Sequence, residues 1–301
     1  MLILKRIIKE GIYLPMRFMI RFLFLYERGI EKILPNLARR ARESMIKVID
    51  ADVREVIHQS QSKTTRFLLH TPNQTCAFRH ETFSSKEPEL LELIDEYGGD
   101  GAFYDVGANI GIYSIYYAKN NNGNVYSFEP SVFNLRQLAK NIMINNLENQ
   151  INIISNPLSG KSGFAAFRSG GTNEGGALSS FGVEYGHDGK TLNSDFEYRI
   201  IGFTLDDLIK QKVIIEPPRL MKIDVDGIEH LILSGAKNTL ASKSLKSIII
   251  EVNDNFEEQS HKVRTILESA SFSLRDKRHA SLSSESKRFG KTYNQIWIRK
   301  Y

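Results

Sequence analysis

From residue 102 onward short β-rich runs alternate with helical ones, and this alternation narrows the fold more than any other feature. AFYDVG, NVYSFEP, INIIS, RLMKIDV, KSIIIEV, FSLRD and NQIWIRK read as seven strands. Helical periodicity fills most of the intervals between them, as in VFNLRQLAKNIMINN and SHKVRTILESA. Such a pattern predicts an α/β fold, a Rossmann-like, mostly parallel seven-stranded sheet with helices on both faces. Sheets of this kind bind ligands beyond the carboxyl ends of their strands, where the strand order reverses.

The strand ends are where chemistry is expected. The first runs into a helix through Asp105-Val-Gly107-Ala108-Asn109-Ile-Gly111. Glycines here let the backbone approach a ligand, and the new helix offers free N–H groups. The spacing is not the dinucleotide G-x-G-x-x-G. An acid before the first glycine is a poor neighbour for a pyrophosphate and a good one for an ammonium group. Glu129 ends the second strand, where a carboxylate can accept hydrogen bonds from both hydroxyls of a ribose. The third ends Ser155-Asn156-Pro157-Leu158-Ser159. Asn156 is placed to bond an adenine edge and Leu158 to pack on its face, although an ordinary strand-to-loop turn reads the same way. The fourth delivers Lys222-Ile-Asp224-Val-Asp226-Gly227-Ile-Glu229-His230 and the fifth ends at Glu251-Val-Asn253-Asp254. Acids gathered at strand tips are costly unless paired or liganded. Glu229 also suits the first turn of a helix.

The N-terminal part is different in kind. Residues 1–66 hold 14 Lys and Arg against 7 Asp and Glu. The whole chain is +5, so the remainder is net −2 and the basic character belongs to the arm. Within residues 1–34, Arg17, Arg21 and Arg28 interrupt every window that could span a membrane, and no signal-peptide pattern is visible. At 100° per residue Arg17, Arg21, Arg28 and Lys32 fall within an arc of about 60°, leaving Phe18, Met19, Ile20, Phe22, Leu23 and Leu25 around the rest. Pro15 suits the first turn of that helix and Pro35 its stop. Two uses fit: seating on an anionic membrane surface, or packing of the apolar side on protein, including a second copy in a homo-oligomer. The bulky apolar residues argue against nucleic acid. Helix is expected to continue through 36–66 into a polar linker at 58–66, giving an arm of 1–66 and a domain of 67–301. Within that domain, 67–100 is read as a lead-in of a small hairpin at 67–83 and a helix from Pro88. Cys76 is the only cysteine, which removes internal disulfides and suits a cytoplasmic chain, peripheral on the inner face of the membrane if the arm binds lipid.

DVGANIG, FEP, TLDDLI, KIDVDGIE, IIIEV and NQIWIRK together resemble the FkbM family of S-adenosylmethionine (SAM)-dependent methyltransferases, over roughly residues 80–301. One departure is Asp226, where the family more often has Glu. The resemblance implies the class I methyltransferase sheet, with a final antiparallel strand, and O-methylation of hydroxyls on sugars, glycans or polyketide-like products. It further implies that the turn of Asp105, Gly107, Ala108, Asn109 and Gly111 holds the methionine end of SAM. Glu129 would then hold its ribose, and the Asn156–Ser159 peptide with Leu158 would border its adenine. Asp224 would face the sulfonium and the incoming hydroxyl as base or orienting residue, with Glu251 and His230 as further catalytic candidates. No metal site is assigned, although an Asp224–Glu251 pair could hold Mg²⁺. Residues 169–195 and 67–87 are expected to border the acceptor pocket. Two other classes are weighed. Asp105 and the missing G-x-G-x-x-G speak against a nicotinamide oxidoreductase, and retention of Gly107, Gly111 and Glu129 speaks against a non-catalytic membrane-associated binding protein. No N/D-P-P-Y/F stretch follows the fourth strand, against methylation of nucleic-acid bases.

Overall fold

A computed structural model describes residues 2–279 and 290–300. Met1, part of the expected arm, lies outside the described residues. The chain divides into two compact units, one ending at Asp52 and the other running from Val53.

The first unit is a pair of helices, Leu2–Glu31 and Pro35–Asp50. Pro15 does not open the first helix as the sequence predicts but lies inside it. There its missing N–H forfeits one bond within a helix long enough to tolerate the loss. Pro35 stands at the first turn of the second helix, where that N–H is not needed. Arg42 joins the pair, reaching Glu27 at 2.5 Å and Glu31 at 3.0 Å. Glu27 and Ala38 are buried, whereas Phe18, Phe22, Leu25 and Tyr26 are each at least 60% exposed.

The second unit opens with a hairpin of β1 (Val53–Gln59) and β2 (Thr64–His70). The expected linker at 58–66 is therefore strand and turn, the helix ending at Asp50. The hairpin lies upstream of the expected 67–83. TCAFRH is helical (Gln74–Glu81) because Asn73 caps it, its Oδ1 accepting from Cys76 N at 2.9 Å. Asn side chains then satisfy the free edge of β2. Asn145 Oδ1 accepts from Leu68 N while its Nδ2 donates to Leu68 O, and Asn141 Oδ1 accepts from His70 N.

After a helix at Pro88–Tyr97 come β3 (Ala102–Val106), β4 (Val125–Phe128) and β5 (Ile151–Ile154). Next are β6 (Gly163–Ser169), β7 (Ser179–Phe181) and β8 (Phe196–Gly202). The last are β9 (Pro218–Ile223), β10 (Ser247–Asn253), β11 (Phe272–Arg278) and β12 (Thr292–Arg299). The main sheet has seven strands in the order β11-β12-β10-β9-β3-β4-β5. Only β12 runs against its neighbours, as the class I arrangement requires. Alternation along each strand feeds a core on both faces: Tyr104, Met221 and Ile250 go to one cluster, Phe103, Leu220 and Ile249 to the other. β6, β7 and β8 form a second, antiparallel sheet within the Gly- and Ser-rich stretch.

Candidate active site

The order reverses at β3, which has β4 on one side and β9 on the other. In this crevice Asp224 N donates to Val106 O at 3.1 Å, drawing the ends of β3 and β9 together. Gly107 turns away at φ +83°, and a Cβ there would fall 1.9 Å from Asp224 O. Only glycine fits that crossing. Gly107 N and Ala108 N both donate to Phe128 O, which fixes the loop to the end of β4. A cavity of about 420 Å³ opens above it, within the range of small-molecule sites.

Of the predicted cofactor-binding residues, Gly107, Ala108, Asn109, Glu129 and Leu158 line this cavity. Glu129 is buried, with Oε2 accepting from Asn109 N at 2.8 Å and Oε1 from Ser131 N at 2.7 Å. Burial pushes its pKa up to about 7 against the pull of those bonds. Asn109 adopts φ +54° and gives its Nδ2 to Gly176 O, while its Oδ1 is buried without a partner.

Three predicted residues stand elsewhere. Asp105 is fully buried beneath the turn, accepting from Ser114 Oγ at 2.6 Å with Lys222 Nζ 3.8 Å away. Its strand position turns it inward. Asn156 does not line the cavity and gives its Nδ2 to Ile201 O at 2.9 Å, tying the third strand's end to β8. Gly111, at φ +83°, lies against Leu138, which a Cβ would meet at 2.4 Å.

Asp224 and Glu251 both line the cavity. Asp224 is 26% exposed, with Oδ2 3.3 Å from Lys222 Nζ. Burial would raise its pKa, but the charges of Lys222 and Lys86 outweigh burial and hold it below the ordinary range. Glu251 goes the other way: burial and the charge of Asp224 push its carboxyl well up, with Lys86 only partly opposing. The two acids on this wall are thus pushed in opposite directions, Asp224 towards its charged form and Glu251 towards its neutral one. His230, the third catalytic candidate, does not reach the cavity. It is buried with its ring edge-on to Phe256, since Glu229–Ser234 turns that face into the core. Glu229 braces the loop before it, accepting from Val225 N and Gly227 N.

Lys222, Lys86, Glu87, Arg79 and Tyr113 also line the cavity; Arg79, Lys86 and Glu87 belong to the segment 67–87 expected to border an acceptor, whereas Lys222 and Tyr113 carry no expected role. A lysine inside an otherwise apolar strand was the available signal for Lys222, because a buried ammonium requires carboxylates nearby. The two segments expected to border an acceptor do meet here: Thr75, Phe78 and Lys86 come from one, and Gly175 to Phe181 from the other. Asp226, at φ +63°, holds the second segment, its Oδ2 accepting from Leu178 N at 2.7 Å and Ser179 N at 3.2 Å.

Residues 105–274, just over half of the chain, match the methyltransferase FkbM domain. No curated protein matches. Among solved structures, the chain is similar to the methyltransferase FkbM from Methylobacillus flagellatus KT, at 11% identity and a TM-score of 0.43 over 75% of this chain and 62% of that one. It is also similar to SMU.1697c of Streptococcus mutans, assigned as a methyltransferase and solved in complex with S-adenosylhomocysteine (SAH). That likeness has 10% identity and a TM-score of 0.44, over 71% of this chain and 98% of that one. An rRNA methylase from Streptococcus thermophilus gives 10%, 0.43, 71% and 95% in the same measures. The cavity suits SAM: a carboxylate at Glu129 and an unpartnered Asn109 Oδ1 offer acceptors for hydroxyl and amino groups beside the apolar Leu158. With more than half its length matched by that domain, the chain belongs to the FkbM methyltransferase family and is a SAM-dependent methyltransferase.

Proposed function

We propose that the protein transfers a methyl group to a hydroxyl of a sugar, glycan or related natural-product acceptor. The supporting observation is the placement of Asp224, held towards its charged form by Lys222 at 3.3 Å, on one cavity wall with Glu251, whose carboxyl is pushed the other way. When bound, SAM supplies a methyl activated by positive sulfur. What the protein must add is alignment of the hydroxyl and a place for its proton. Asp224 takes that proton, while protonated Glu251 can donate a hydrogen bond to a neighbouring oxygen of the acceptor. Gly107, Ala108 and Asn109 hold the methionine end of the cofactor, Glu129 the ribose hydroxyls and Leu158 one face of the adenine.

A peripheral site on the inner, anionic face of the membrane is supported by the arm, whose large apolar residues are exposed beside Arg17, Arg21 and Arg28. No helix among the described residues is long and apolar enough to cross a membrane. Purified protein incubated with methyl-labelled SAM and with nucleotide sugars, oligosaccharides or lipid-linked sugars tests the acceptor class. Label recovered as an O-methyl sugar is expected; label recovered only on nitrogen, or only on RNA, would overturn this reading.

A further inference from the structure

We infer that Arg79 and Tyr113 form a recess in the cavity wall that holds an oxyanion, a carboxylate or phosphate, of a bound ligand. The inference rests on the reading of this cavity as the site of methyl transfer. Two independent features carry it. Arg79 stands on the helix Gln74–Glu81 and lines the cavity. Its Nε donates to Gly175 O at 2.8 Å, which fixes the plane of the guanidinium. Among the described residues its two terminal nitrogens have no partner. Tyr113 is in the first turn of Ile112–Asn120, directly after the glycine turn, and is 5% exposed. Its hydroxyl is buried without a partner although its side chain lines the same cavity. A buried hydroxyl with nothing to bond is costly, and one that lines a cavity is placed to be completed by what the cavity holds.

The donors left open on Arg79 make an oxyanion the fitting ligand. Lys86 is paired with Glu87, and Lys222 with Asp224, so those two ammonium groups are already balanced. Arg79 remains as the cation with free donors. Tyr113 lines the same cavity, where Glu87, itself paired with Lys86, and then Arg79 are the charges that act most on its hydroxyl. A planar fork of N–H groups with an O–H beside it matches the geometry of carboxylate or phosphate oxygens. Two sources supply such a group: the α-carboxylate of the cofactor, or an acidic substituent of the acceptor. Arg79 lies outside residues 105–274, the span matched by the family domain, whereas Tyr113 lies within it.

Calorimetry on the full chain separates the sources. The probes are SAH, 5′-methylthioadenosine (which lacks the amino acid end) and, with SAH saturating, glucose 1-phosphate and glucuronate. The variants are Arg79→Gln and Tyr113→Phe. The second removes only an oxygen without a partner, so its ligand-free melting temperature is expected to equal or exceed that of wild type. If the recess holds the cofactor carboxylate, both variants lose tenfold or more in SAH affinity and keep their affinity for 5′-methylthioadenosine. If it holds an acceptor anion, SAH binding is unchanged and the binding of an anionic sugar seen with wild type is lost in both. Variants matching wild type for every probe that wild type binds, or weakened equally for SAH and 5′-methylthioadenosine, would overturn the recess alone. Wild type that binds neither SAH nor an anionic sugar would overturn it together with the reading of the cavity.

Discussion

The Nζ of Lys222 lies 3.3 Å from the carboxylate of Asp224, two residues further along the same strand direction. Both side chains reach the same end of β9 because residues two apart share a face. The ammonium is also 3.8 Å from Asp105 on the adjoining strand, where Asp105 and Lys222 are register partners. Burial alone would lower the pKa of Lys222, but Asp224 and Asp105 together raise it, so it stays charged. This arrangement keeps Asp224 ionised at the cavity wall, the state a proton acceptor needs.

Asp224→Asn is therefore expected to lower turnover by roughly 10²-fold or more and to change SAH affinity only slightly. Asparagine keeps the shape but cannot take a proton. Steady-state rates set beside calorimetry decide the matter: a variant with near wild-type turnover would move the proton acceptor to another group.

Asp105 gives a different expectation. It bonds Ser114 and Lys222 and does not line the cavity. Asp105→Asn leaves the Lys222 charge buried with Asp224 alone at 3.3 Å, so the expected loss of stability is smaller than the about 3–5 kcal/mol of a buried charge left with no partner. Urea unfolding should show that loss. If stability is unchanged while SAH binding falls, Asp105 acts on the ligand after all.

Much of this site was legible in the sequence, for reasons that particular residues show. Gly107 and Glu129 stand at strand ends, where strand–helix alternation fixes position within a residue or two. Asp224 was found the same way. Asp105 and His230 show the limit: motif spacing places a residue near a site but does not say which way its side chain turns. Asp105 precedes the turn on an entirely buried strand, so it faces Ser114. Arg79 and Lys86 lie in the segment 67–87 expected at the pocket, but nothing in its sequence singles them out, because they reach the cavity from a helical lead-in by long-range packing. The hairpin was misplaced for a local reason, since alternation in TCAFRH competed with the cap at Asn73 and the cap prevailed.

Glu129 should make both stability and ligand binding depend on pH. Its pKa rises from 4.5 to about 7 on folding, chiefly through burial. The folded protein then holds this proton more tightly than the unfolded chain. The resulting stability is complete below the ordinary carboxylate range and is lost as pH climbs to about 7. Glu229, raised to about 7, and Asp226, raised to about 6, act in the same direction. The melting temperature of the ligand-free protein should fall between pH 5 and 8, and less steeply in Glu129→Gln. Ribose hydroxyls favour the ionised carboxylate, so SAH should bind more tightly at pH 8 than at pH 6. A flat affinity across that range would remove Glu129 from the ribose.

The arm provides the last test. Phe22 is 67% exposed and Leu25 68%, and several other large apolar residues of the same helix are also exposed. Solvent contact of that extent is unfavourable by about 25 cal/mol for each Å² of apolar surface, so a cover of some kind is expected. The cationic arc of Arg17, Arg21 and Arg28 favours an anionic leaflet, at about 1 kcal/mol for each basic residue near the surface. Vesicles of a neutral lipid, alone or with anionic lipid added, distinguish this from packing on a second copy. Co-sedimentation should rise with anionic lipid, weaken with salt as the Debye length shrinks, and disappear when residues 1–34 are removed. A second copy would instead show as a dimer in light scattering without lipid, with no binding to either vesicle. Val53 onward forms its own compact unit, so the shortened chain should still bind SAH. Its failure to fold would assign the arm to packing and not to the membrane.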